Sequence, residues 1–117
     1  QKGSLKLTEA KRASELRMTE EMLAAAAEAL KLDPTLTEAQ IFWAKAVIEL
    51  KIEEDFRNAK ERLLRAKASL SKNPEPCFLL AKLLYLTNDK RSAKRELEEA
   101  LKRDPRHPGA KKLLEEI

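Results

Sequence analysis

The chain has 117 residues, with 24 Lys and Arg against 20 Asp and Glu, one His, one Cys, two Gly and five Pro. That length suits one domain with its own core, and the wealth of Ala, Leu, Lys, Arg and Glu points to helix rather than sheet. A lone Cys excludes a disulfide framework. A lone His argues against His-based metal sites and His-dependent hydrolysis, so the composition speaks against an enzyme and implies no cofactor.

Apolar residues recur every three or four positions between the prolines, which is amphipathic helix spacing. The first stretch reads as two helices, about 5–17 and 19–32, with Thr19 a potential N-cap, or as one helix across 5–32. After Pro34, Thr37-Glu38-Ala39-Gln40 has capping-box spacing and opens a helix over about 37–51 that carries Ile41, Ala44, Val47 and Ile48. Asp55 is a potential cap for a helix over about 55–70, with Leu63, Leu64, Ala66 and Leu70. Asn73 ahead of Pro74 suits a helix start, and Leu79, Leu80, Leu83 and Leu84 line the helix over about 75–86. Asn88 can cap a helix over about 89–103 with Ala93, Leu97, Ala100 and Leu101. His107 ahead of Pro108 opens the last one, about 109–116. The reading is therefore all-α, with about seven helices.

The net charge of +4 is modest and interspersed. Even the basic stretch from Lys90 to Lys112 contains Glu96, Glu98, Glu99 and Asp104, which reads as solvated helix faces rather than a nucleic-acid footprint. No apolar run approaches the roughly 20 residues that span a bilayer, and no signal-peptide pattern opens the chain, so no membrane role and a cytoplasmic location are expected. The chain begins at Gln1 rather than Met and reads as a piece of a larger multidomain protein.

Ala29-Leu30-Lys31-Leu32-Asp33-Pro34 recurs as Ala100-Leu101-Lys102-Arg103-Asp104-Pro105, and Ala39 and Ala110 follow at the same distance. The copies are 71 residues apart, two repeats of about 35, and such a period in a helical chain implies stacked hairpins. On these residues the chain resembles the tetratricopeptide repeat family. From Pro74 onward, Ala81 and Leu84 match the small and large places of the family's first helix. Ala93, Leu97 and Ala100 match those of its second, and Pro105 closes the unit. From Thr37, Trp43, Ala44 and Val47 fit, three residues are inserted near 51–55, and Ala59, Leu63 and Ala66 follow, with Ser71 in place of the proline. The first unit is degenerate: Met22, Ala26, Ala29 and Pro34 match its second helix, and Ala10 alone matches well in its first.

The resemblance implies a right-handed α-α superhelix of antiparallel helices in a single domain. Its units are about 3–36, 37–73 and 74–107, with a capping helix over 108–117. It also implies a non-catalytic scaffolding module whose first helices line a concave groove for a partner peptide or helix. Carried onto this sequence, the groove places are Glu38, Ile41, Lys45 and Ile48 in the second unit, and Glu75, Phe78, Lys82 and Tyr85 in the third. In the first unit they are Ser4, Leu7, Lys11 and Ser14. Lys11, Lys45 and Lys82 fall at one repeat position and would form a ladder, flanked by apolar side chains, for an acidic and partly apolar partner. Chaperone-tail binding is disfavoured, since the groove lacks the required Asn residues and Ile48 and Leu79 stand at polar places. The alternative is self-association through the degenerate first unit, making a homo-oligomer. Nucleic-acid binding is less favoured, for want of an unbroken basic strip.

Cys77 reads as a small packed residue, His107 as a cap or loop residue, and Trp43 as packing within a hairpin. Glu98-Glu99 and Glu115-Glu116 are adjacent on helices and point apart, so they do not converge as an acid/base pair. Gly3 and Gly109 cannot make a phosphate loop.

Overall fold

A computed structural model describes the backbone of residues 2–117 and the side chains of residues 14–117. Six α-helices follow in order: α1 (Lys2–Leu32), α2 (Thr37–Glu49), α3 (Phe56–Ser69), α4 (Glu75–Leu86), α5 (Lys90–Arg103) and α6 (Pro108–Glu116), with a short 3-10 turn at Glu53–Asp55. There is no strand among the described residues. Residues 5–32 thus lie in one helix rather than two. Thr19 does not cap a break, because its hydroxyl turns back to the Glu15 carbonyl at 3.0 Å, the i−4 contact of a helix interior.

Other helix ends also depart from the sequence expectation. Thr37 is the first residue of α2 and its side chain makes no cap. The turn before it is held by Asp33, which accepts the Thr35 N–H at 3.0 Å and the Thr35 hydroxyl at 2.6 Å. Gln40 is then free to donate to the Pro34 carbonyl at 2.8 Å instead of completing a capping box. Asp55 precedes α3 without a side-chain cap, and Asp89, not Asn88, caps α5 by accepting the Ser92 N–H. His107 behaves as expected, with Pro108 the first residue of α6, whereas α4 begins at Glu75 rather than Pro74, so Asn73 sits one residue further out than a cap. Asn73 accepts the Glu75 N–H at 2.9 Å, and His107 Nδ1 accepts the Ala110 N–H at 3.0 Å.

Each helix packs on its sequence neighbours, and α4 also meets α2 and α6. The result is a helical-hairpin solenoid, in which α2 pairs with α3 and α4 with α5. Two hydrophobic clusters run through it. One joins Ile41, Val47 and Ile48 of α2, Ala59 and Leu63 of α3, and Leu79, Leu80 and Leu83 of α4. The other joins Cys77, Ala81 and Leu84 of α4 to Ala93, Leu97 and Ala100 of α5 and Ala110 of α6. Helix α4 therefore buries two faces, which explains its near-continuous apolar sequence. The small residues Ala81, Ala93, Ala100 and Ala110 are all fully buried, so backbones come close where those side chains meet.

Loop positions are fixed by a residue that sequence spacing does not reveal. Arg103, at the end of α5, reaches back with Nη1 to the carbonyls of Lys67, Leu70 and Asn73 at 3.2, 2.9 and 3.0 Å. It thereby joins the last turn of α3, through Lys67, to the loop that follows, through Leu70 and Asn73, and the Leu70 carbonyl also accepts the Asn73 N–H. Lys67 pairs with Glu96 in the same interface between α3 and α5.

Candidate functional site

Helices α2 and α4 end in the same way, which puts their residues in register. Lys51 and Asn88 both take left-handed backbone, at φ 55° and 66°. The amides that follow them, Ile52 and Asp89, bond back to the Val47 and Leu84 carbonyls. This six-to-one closure is the Schellman turn. Counting back from it aligns Ile48 with Tyr85, Lys45 with Lys82 and Ile41 with Phe78.

Two hollows lie along these helices. The first, of about 250 Å³, is lined by Glu38, Ile41, Phe42, Lys45, Asn73 and Glu75. The second, of about 240 Å³, is lined by Ile48, Glu49, Lys51, Lys82, Tyr85, Leu86 and Leu113. All the expected groove residues of α2 and α4 except Phe78 thus border one or the other. The Lys11 side chain, and those of Ser4 and Leu7, lie outside the described residues, and Ser14 is exposed on α1.

The apolar part of the groove differs from the expectation. Ile41 is 8% exposed and Ile48 2%, because α2 and α4 share a core that takes both side chains. They offer little surface to a partner. Phe78 and Tyr85 remain half-buried, and Phe42, which repeat spacing did not single out, is 49% exposed at the rim. The lysines differ in setting. Lys45 has no carboxylate within 4 Å among the described residues, while Lys82 Nζ sits 5.4 Å from the centre of the Phe78 ring.

Glu75 and Phe78 are tied to the following corner. His107 Nε2 lies 2.7 Å from Glu75 Oε1, and since Nδ1 accepts a backbone N–H, Nε2 carries the ring proton and donates to the carboxylate. The Phe78 and His107 ring centres are 4.8 Å apart. A Cβ on Gly109 would come 2.7 Å from Phe78 Cζ, so the absence of a side chain there lets the ring lie close on α6.

The remaining singled-out residues have structural surroundings. Cys77 is fully buried, and burial pushes its thiol pKa up, which leaves a small packed residue with little thiolate. Trp43 packs on the first cluster, with the Arg62 guanidinium 4.1 Å above its ring. Among the described residues, no group of three or more His, Cys, Asp and Glu could hold a metal, and no helix is long and apolar enough to cross a membrane.

A family model described as tetratricopeptide repeat matches residues 50–117, the stretch that holds α3 to α6. Repeats of this kind generally mediate protein–protein interaction or scaffolding and are generally non-catalytic. Among curated proteins none matches the chain. The family match covers more than half of the residues and agrees with the stacked hairpins and the 71-residue repeat, so the chain belongs to the tetratricopeptide repeat family.

Proposed function

We propose that the face shared by α2 and α4 binds an acidic, partly apolar segment of a protein partner, and that the module scaffolds without catalysis. The observation that carries this reading is the placement of Lys45 and Lys82 at equivalent positions, each bordering a hollow with aromatic neighbours. Lys45 is available to pair with a carboxylate, and Phe42, Phe78 and Tyr85 supply the apolar contact that Ile41 and Ile48 withhold. Glu38 and Glu75 make the groove mixed in charge, which favours a partner with spaced rather than contiguous acids. The same reading divides the chain into units of about 3–36, 37–73 and 74–107 with a cap over 108–117.

The test is fluorescence anisotropy with labelled peptides that alternate Asp or Glu with Leu or Phe. Lys45→Glu together with Lys82→Glu is expected to weaken binding about tenfold or more, the loss of one or two charge-assisted contacts. Unchanged affinity in a variant with unchanged circular dichroism would sink the reading.

A further inference from the structure

The 71-residue repeat builds the same corner twice, and among the described residues only one copy has a third helix lying over it. In the C-terminal copy α5 and α6 meet under α4. Ala93, Leu97, Ala100 and Ala110 are fully buried there, against Cys77, Ala81 and Leu84. Their counterparts 71 residues earlier are Met22, Ala26 and Ala29 of α1 and Ala39 of α2. No helix takes α4's place over these among the described residues. Instead they border an open apolar hollow of about 410 Å³, which Leu36 and Phe42 complete. Met18, one turn before Met22, is 66% exposed, and Leu32 is 88% exposed.

The covered copy shows what shape fits, and the differences between copies show what chemistry fits. Cys77, Ala81 and Leu84 require small residues four apart and a leucine three further on. Two positions differ. Gly109, on which the Phe78 ring lies, corresponds to Glu38, which lines the open hollow. A partner residue in Phe78's place would therefore meet a carboxylate rather than an empty space. His107, which holds Glu75, corresponds to Leu36, which is 45% exposed. A partner residue in Glu75's place would meet an apolar side chain. The nearby field has the same sign as Glu38. Residues 20–38, which run past the hollow, hold five Asp and Glu against one Lys, although residues 2–49 as a whole carry eight acids against seven Lys and Arg.

We propose that this hollow docks a basic amphipathic helix of a protein partner, seated as α4 is seated on α5 and α6. Its pattern is an apolar residue, then a small one two positions on with Lys or Arg next to it, then a second small residue and a Leu at α4's spacing. The Lys or Arg pairs with Glu38, and the apolar residue covers Leu36. The acidic stretch of a second copy's α1 is a poor occupant, because Glu21 and Glu28 would meet like charges. This site is separate from the lysines of the α2/α4 face, although Glu38 and Phe42 border both hollows.

The experiment uses two labelled synthetic helices of about 15 residues, roughly four turns, with this pattern. They differ only in Lys or Glu at the place that faces Glu38. Anisotropy against the 117-residue chain is expected to show the Lys peptide binding about tenfold more tightly than its Glu twin. Glu38→Lys is expected to invert that preference. Ala25→Glu fills the hollow while adding a negative charge, so a loss of Lys-peptide binding by about tenfold reports occupancy rather than field. Ala24→Glu, on an exposed position outside the hollow, is the matched control and should leave binding intact. The proposal is overturned if the Lys peptide does not saturate, if Glu38→Lys leaves the preference unchanged, or if Ala25→Glu binds like wild type. It is equally overturned if light scattering shows a dimer that Ala25→Glu dissolves, since a second copy would then fill the hollow.

Discussion

Lys51 and Asn88 take the same left-handed backbone to end equivalent helices, but only one of them suits it. Asn tolerates this region through its short polar side chain, whereas Lys carries the Cβ penalty with nothing to offset it. Lys51→Asn is therefore expected to stabilise the fold by about 0.5–1 kcal/mol, read as a higher urea midpoint at constant slope. Arg103 acts in the opposite sense. Its Nη1 serves three carbonyls from a side chain that is 10% exposed, and Arg103→Met takes that donor from the Lys67 and Asn73 carbonyls while Leu70 keeps the Asn73 N–H, so it should cost about 2–3 kcal/mol in the same measurement. A loss below half of that would mean water replaces the guanidinium. Asp89 gives a pH dependence with a defined sign. The Ser92 backbone N–H, then the Ser92 side chain, hold its carboxyl below the ordinary carboxylate value. A depressed folded value means the contribution is complete above the unfolded pKa and is lost as pH falls through the folded one. Asp89→Asn keeps an acceptor for the cap but removes the titration, so the acid limb of stability against pH should flatten.

At the scale of the element, α4 was legible in the sequence because its signals agree. Pro74 and Asn73 set its start, and an apolar run with a small residue in the middle sets its two buried faces. Where a residue has two physical uses, spacing alone could not choose between them. Thr19 can cap or bond back to i−4, and it does the latter inside α1. Thr37 can cap, but Asp33 already organises the turn. The groove followed the same rule. The lysine positions were readable from the repeat, whereas Ile41 and Ile48 had two uses, as groove residues by repeat position and as core by their spacing with Ala44 and Val47, and the close approach of α4 to α2 decides for the core. The α4–α5 contact offers the sharpest test of element packing. Ala81 and Ala93 are both fully hidden from water in the cluster that joins these helices. Ala81→Leu is expected to destabilise by about 1–3 kcal/mol despite its added apolar surface, because the extra carbon atoms must push the helix backbones apart. A neutral outcome in thermal unfolding would mean the helices separate freely to make room.

Across the whole molecule, packing is sequential. Helix α1 packs on α2, α6 packs on α5 and α4, and among the described residues α4 alone belongs to both hydrophobic clusters. In such an array stability is a sum of unit and nearest-neighbour contributions, so damage at one end is transmitted only through the shared helix. Leu97 is fully buried in the C-terminal cluster. Leu97→Ala should cost about 2–5 kcal/mol there. Amide hydrogen exchange should show the loss largest in α5 and α6, smaller in α4, and smallest in α2 and α3, where Ile48 and Leu63 keep their own cluster. Equal loss of protection in every helix would instead mean that α4 couples the two clusters into one cooperative unit. The same asymmetry bears on binding. The open hollow lies between α1 and α2, and α4 shields the other clustered corner, so a helix docked on α1 and α2 should raise protection in those helices and leave α5 and α6 unchanged.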